Sequence, residues 1–187
     1  MSREPTTALS LLRAHTNELH RALERTPCMT RLSADDATPA DVARALTVLH
    51  AGFVRVEAGL REETWYRPQA PALAADLALL PTCPAPRVAD APGPASPPNH
   101  AARLGAAYVL VGSRLGARTI ARNLRSQWGA AFIAASSYYG AEASHASEQW
   151  QTLMGQLAPL DEAEAETASA IAVATFRLLM TLSEAAA

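Results

Sequence analysis

Of the five histidines in this 187-residue chain, His20 has the neighbours that would make a metal ligand of it. Glu24 stands four residues on, so on a helix it shares a face with His20 and can accept the other imidazole N–H. That would orient the ring and raise its basicity. Arg13, seven residues before, returns to nearly the same direction at about 100° per residue and can reach an anionic group at a ligand's edge. His15 points about 140° away on the same wheel. His50 has no carboxylate companion, and His100 follows a proline-rich stretch. Taken without its neighbours, His20 reads as an ordinary surface or core histidine, so the weight falls on Glu24 and Arg13.

Two other groups of residues could do more than pack. Gly112 and Gly116 fall inside a long helical pattern, where each glycine costs up to about 1 kcal/mol relative to alanine. Either they let two helices approach closely, or they form a kink that lets backbone lie against a flat ligand. Arg114, Arg118, Arg122 and Arg125 recur at helical steps and make a basic edge on the same helix. A solvated face is one reading, and a grip on acidic groups is the other. Glu142 and His145 have the Glu-x-x-His spacing of di-iron helical proteins, but such a site needs two of these motifs and further carboxylates.

Helices must position all of these groups. Thr6 or Thr7 can cap a first helix with Leu9, Leu12, Thr16, Leu19 and Leu23 on one stripe, ending before Pro27. Thr38-Pro39-Ala40-Asp41 opens a second helix to about Glu63, with Val42, Leu46, Leu49, Phe53, Val56 and Leu60 inward. A short helix near 70–80 leads into residues 81–100, seven of which are proline, and neither helix nor central strand persists there. A long helix over 98–125, interrupted at the two glycines, then precedes helices near 129–139, 142–157 and 160–185. Each flank of the proline stretch is about half a domain, and both carry apolar stripes in need of partners. The expectation is one all-α domain over 1–187, with 81–100 as an internal loop.

Composition agrees with that class: 49% of residues are apolar and Gly numbers only 9. A net charge of -2 gives no electrostatic reason to expect nucleic acid. All sixteen basic residues are arginine, which holds carboxylates by paired hydrogen bonds where lysine cannot. Cys28 and Cys83 make neither a zinc motif nor a disulfide framework. With no signal-peptide core at the N-terminus and no run of about 18 uninterrupted apolar residues, a soluble protein in a reducing, cytoplasmic setting is expected.

The segment Leu12-Arg13-Ala14-His15-Thr16-Asn17-Glu18-Leu19-His20-Arg21-Ala22-Leu23-Glu24 resembles the proximal helix of heme oxygenases, including the Thr four before the His and the Glu four after it. Met29 also falls where that family places a Met near the haem. Tyr108-Val109-Leu110-Val111-Gly112-Ser113-Arg114-Leu115-Gly116-Ala117-Arg118 resembles the distal helix of bacterial members, particularly those associated with bacteriophytochromes. Tyr139-Gly140, Trp150, Leu157 and Phe176 extend the similarity over nearly the whole chain.

The resemblance implies haem held between proximal and distal helices, as both prosthetic group and substrate, with His20 as axial ligand to the iron. It implies roles in ring opening for Gly112, Ser113 and Gly116. Arg13, Glu24, Met29, Ala117, Arg118 and Arg122 would contact the haem or support its ligand. The implied reaction uses oxygen and reductant to give biliverdin, carbon monoxide and ferrous iron, with an electron donor such as a ferredoxin or a reductase and a bacteriophytochrome as biliverdin acceptor. The chain departs from the family at Ser113, where many members have Asp, at Ala117, where a second glycine is usual, and at Val111, where that branch often has Glu. Those departures leave room for a haem-binding relative without ring-opening activity, and a helical interaction domain without haem is the third alternative.

Overall fold

The computed structural model describes residues 7–86, 97–129, 136–139 and 145–186. Among the described residues it is all-helical, with seven helices and no strand. Helix α1, Ala8–Glu24, begins where the Thr7 hydroxyl accepts from the Ser10 amide at 3.2 Å, and it buries Leu12, Thr16 and Leu23. It ends before Pro27, as the spacing predicts. Pro27 then opens a helix of its own, α2 (Pro27–Leu32), because proline lacks an N–H at a position where a first helical turn requires none.

Helix α3, Pro39–Glu57, has a complete capping box: Asp41 N–H donates to the Thr38 hydroxyl, and the Asp41 carboxylate accepts from the Thr38 amide. Arg31 of α2 pairs with the same carboxylate at 3.1 Å. Hydrogen bonds from Arg31 and then Thr38 lower the Asp41 pKa to about 2. The helix stops at Glu57 and not near Glu63. The Glu57 carboxylate accepts from the Tyr66 hydroxyl at 2.8 Å and from the amides of Gln69 and Ala70, which turns residues 58–69 back on α3. Helix α4, Ala70–Leu77, follows and packs on α3.

Helix α5, His100–Trp128, starts at Asn99, whose side chain accepts from the Ala102 amide at 2.9 Å. Buried Glu63 ties the preceding turn to it, accepting from Arg103 at 2.7 Å, from Trp65 at 3.0 Å and meeting His100 at 2.8 Å. Burial pushes the Glu63 pKa up, but these hydrogen bonds outweigh it and hold the carboxyl below its usual range. The expected interruption of α5 at its glycines does not occur; the helix is continuous through both. Its far end is held by Gln127 and Trp128, which donate to the carbonyls of Ala34 and Ala37 at 3.1 Å each. Two glycine penalties of about 1 kcal/mol do not break a helix anchored at both ends. Gly129, at φ 84°, ends it in a conformation that favours glycine.

The helix expected near 129–139 falls mostly outside the described residues, and the described part, 136–139, is not helical. Glu142 also lies outside them, and His145 opens α6, His145–Leu157. Helix α7, Glu162–Ala185, begins at a second capping box made by Asp161 and Glu164.

Helix α7 is the central element, packed by α5, α1 and α3, so helices from both flanks of the proline stretch share its surface. Its length and composition would also suit a membrane span, the one such helix among the described residues, but half of that window is buried inside the protein. Small residues make the close approach possible: a Cβ on Gly105 would collide with the backbone of Ala168, and Ala101, Ala102, Ala165 and Ala172 are buried on the same two helices. Dispersion gained over so close a contact offsets the conformational entropy of the glycine.

Candidate functional site

Helices α1 and α5 diverge on one side of α7 to leave a cavity of about 460 Å³, with more apolar than polar surface. That lies within the range of about 300–1,000 Å³ usual for small-molecule and cofactor sites. On the α1 side it is bordered by Arg13, Thr16 and His20, and on the α5 side by Tyr108, Gly112 and Ser113. Leu49 of α3, Trp150 of α6 and Phe176 of α7 complete the wall. Two segments distant in sequence, each singled out by its own pattern, therefore face one another across the same space.

His20 is half-exposed, and its Nδ1 lies 3.5 Å from Glu24 Oε1. Glu24 thus shares the face of His20, as its spacing predicts, at a distance longer than an ordinary hydrogen bond. The ring is steadied from the other side by Phe176, edge-on at 5.7 Å between centroids. The Thr16 hydroxyl, though at the cavity, is engaged by the Leu12 carbonyl at 2.7 Å. Arg13 is exposed at the cavity's rim and stands as a free-reaching cation for an acidic group at the ligand's edge.

The three glycines of α5 behave differently from one another. Gly105 supplies the tight helix crossing. A Cβ on Gly112 would meet only Trp150 Cζ3, at an ordinary 3.8 Å, and a Cβ on Gly116, one turn farther, would meet nothing within 4 Å. Among the described residues, the Gly112–Gly116 strip is therefore not a site of close helix packing as Gly105 is: Gly112 borders the cavity and Gly116 is exposed beyond it.

Ser113 donates to the Leu110 carbonyl at 2.7 Å and lies 3.3 Å from the Tyr138 hydroxyl. Tyr138 is fixed from behind. The Asp76 carboxylate, wholly buried at the end of α4, accepts from the Ser136 hydroxyl and from the amides of Ser137 and Tyr138. Arg114 donates to the Tyr138 carbonyl at 3.1 Å and lies over its ring at 4.8 Å. Burial is the main cause that pushes the Tyr138 phenol above its usual pKa, against the opposing charge of Arg114, so the group is neutral.

The remaining predicted residues do not border the cavity. Glu24 stands behind His20; Met29, on α2, packs against the core; Ala117 is buried in that core. Gly116 is exposed beyond the cavity, Arg118 is exposed and donates to Ser147 at 3.0 Å, and Arg122 is exposed. Arg114 departs from the solvated basic edge that its spacing suggests: it is buried against Tyr138, because residues 136–138 cover that face of α5. His15 faces α7 instead, with Nδ1 2.7 Å from the Ser169 hydroxyl. Among the described residues, no group of three or more His, Cys, Asp or Glu could hold a metal ion.

Comparison with protein-family models gives no match to this chain, and no curated protein sequence matches it significantly.

Proposed function

We propose that this protein is a heme oxygenase, binding haem between α1 and α5 and opening it to biliverdin, carbon monoxide and ferrous iron with oxygen and reductant. The observation that carries the reading is the juxtaposition of His20, backed by Glu24, with bare backbone at Gly112 across one largely apolar cavity. The residues present suit haem: a single imidazole donor, a rim arginine for a propionate, an aromatic and aliphatic wall, and an open strip for the macrocycle's edge. When bound, haem supplies the iron at which oxygen is activated and the carbon framework that is cleaved.

The chain's own residues do the rest. His20 would hold the ligand's iron through its imidazole, with Glu24 beside the ring nitrogen Nδ1. Arg13 pairs with a carboxylate and sets the ligand's rotation in the cavity. Leu49, Tyr108, Trp150 and Phe176 exclude water from its faces. Gly112 gives clearance on the α5 side, and Ser113 is the polar group next to it.

Purified protein mixed with haemin, then given ascorbate or a reductase system in air, separates the alternatives. A Soret band that decays to a biliverdin spectrum supports the enzyme. A band that persists under reduction indicates a haem-binding relative without ring-opening activity, and absence of a specific band removes haem from the account.

A further inference from the structure

The hydrogen bonds around Ser113 have a direction that follows from counting donors. Ser113 has one hydroxyl proton, and it goes to the Leu110 carbonyl at 2.7 Å. The 3.3 Å contact with Tyr138 therefore has the phenol as donor and the serine oxygen as acceptor. Tyr138 does not border the cavity and reaches it only through Ser113.

The Leu110 carbonyl does not depend on that proton. It lies inside α5, where the helical ladder supplies an N–H, and it also accepts from buried Gln69 Nε2 at 3.0 Å. A carbonyl oxygen has two lone pairs, so both stay satisfied if the Ser113 hydroxyl turns away. The serine oxygen in turn keeps Tyr138 as donor. Releasing this hydroxyl thus strands no buried group, which is the main penalty that ordinarily holds such a bond in place. Tyr138 cannot follow, being clamped by Asp76 through its amide and by Arg114 through its carbonyl.

We propose that Tyr138 and Gln69 are positioning residues that free the Ser113 hydroxyl to donate into the cavity, Tyr138 by donating to its oxygen and Gln69 by giving the Leu110 carbonyl another donor. The proposal rests on the haem reading. It makes Ser113 a donor that turns toward an acceptor on the cavity ligand only when one is present, and donation from Tyr138 polarises the serine O–H and strengthens that bond.

The test uses the full chain loaded with haemin and titrated with fluoride, an anion that coordinates ferric haem and accepts hydrogen bonds from neighbouring donors. Ser113→Ala and Tyr138→Phe are each expected to weaken fluoride about fivefold, the effect of one ordinary hydrogen bond, while haemin affinity is unchanged. The double variant should be no weaker than Ser113→Ala, because Tyr138 acts through Ser113; a merely structural tyrosine would give additive losses. Circular dichroism checks the fold. Should Tyr138→Phe fail to fold, Gln69→Met supplies the second reading, since the serine proton then stays on Leu110 and fluoride weakens again. Wild-type fluoride affinity in folded Tyr138→Phe and in Gln69→Met, or additivity in the double variant, overturns the positioning roles and leaves the haem reading standing. A wild-type chain with no haemin band overturns both.

Discussion

Replacing each of three α5 glycines by alanine adds the same methyl group and should give three different results. At Gly116, with nothing within 4 Å of the new Cβ, the gain is the ordinary helix preference of about 0.5–1 kcal/mol. For a domain of this size, 1 kcal/mol shifts Tm by about 2–4 °C, so the melt should rise by about 1–4 °C. Gly112→Ala should raise Tm by a similar amount in the unloaded chain, because Trp150 at 3.8 Å is an ordinary contact. Its methyl also occupies the clearance beside the cavity, and overpacking of about 1–3 kcal/mol predicts haemin binding weakened by about five- to 150-fold. Gly105→Ala meets the Ala168 backbone, which cannot rotate aside, and should lower Tm by several degrees. Thermal melts followed by circular dichroism, with haemin titrations of the two folded variants, decide the matter. If Gly112→Ala lowers Tm as Gly105→Ala does, Gly112 is a packing residue; if it raises Tm without weakening haemin, the open strip does not receive the ligand.

Other consequences can be checked separately. Asp76→Ala removes the buried acceptor of Ser136, Ser137 and Tyr138 and should cost about 3 kcal/mol or more, read as a lower urea midpoint. Asp41 is held at about 2, below the ordinary aspartate value of 3.8, so its contribution to stability is fully present above about pH 4 and is lost as pH falls toward 2. Asp41→Ala should therefore lower Tm at pH 7, through the lost cap, and flatten the acid side of the stability profile between pH 4 and 2. Glu24→Gln keeps the shape but removes the charge behind His20, and should weaken haemin binding less than His20→Ala does, measured by Soret titration.

Much of the scaffold was legible because its signals are local. Thr7 and Thr38-Pro39 mark helix starts by capping chemistry that needs no tertiary partner. The facing of His20 and Gly112 was accessible only through the resemblance of two separate segments, since periodicity places each on a helix but says nothing of which helices meet. What escaped depends on distant partners. Pro27 reads as a stop and is also a start; Glu57 ends α3 through contacts with Tyr66, Gln69 and Ala70. Gly105 carries the close crossing expected of Gly112 or Gly116, because the difference lies in Ala168 opposite it. Arg114 looks like part of a solvated edge until residues 136–138 cover it, and Tyr138 and Gln69 gain meaning only through Ser113 and Leu110. Trp150 and Phe176 entered only through the resemblance, which names them without a role at the cavity.

The central claim is ring opening, and a single-turnover reaction with product analysis addresses it most directly. Haemin-loaded protein is given reductant in excess of the electrons that full ring opening consumes, in air with catalase present, and released carbon monoxide and extracted pigment are quantified together. Equimolar carbon monoxide and biliverdin for the haem consumed is the predicted result, and His20→Ala should give neither. Haem that survives reduction intact, or that bleaches without carbon monoxide, would contradict the account.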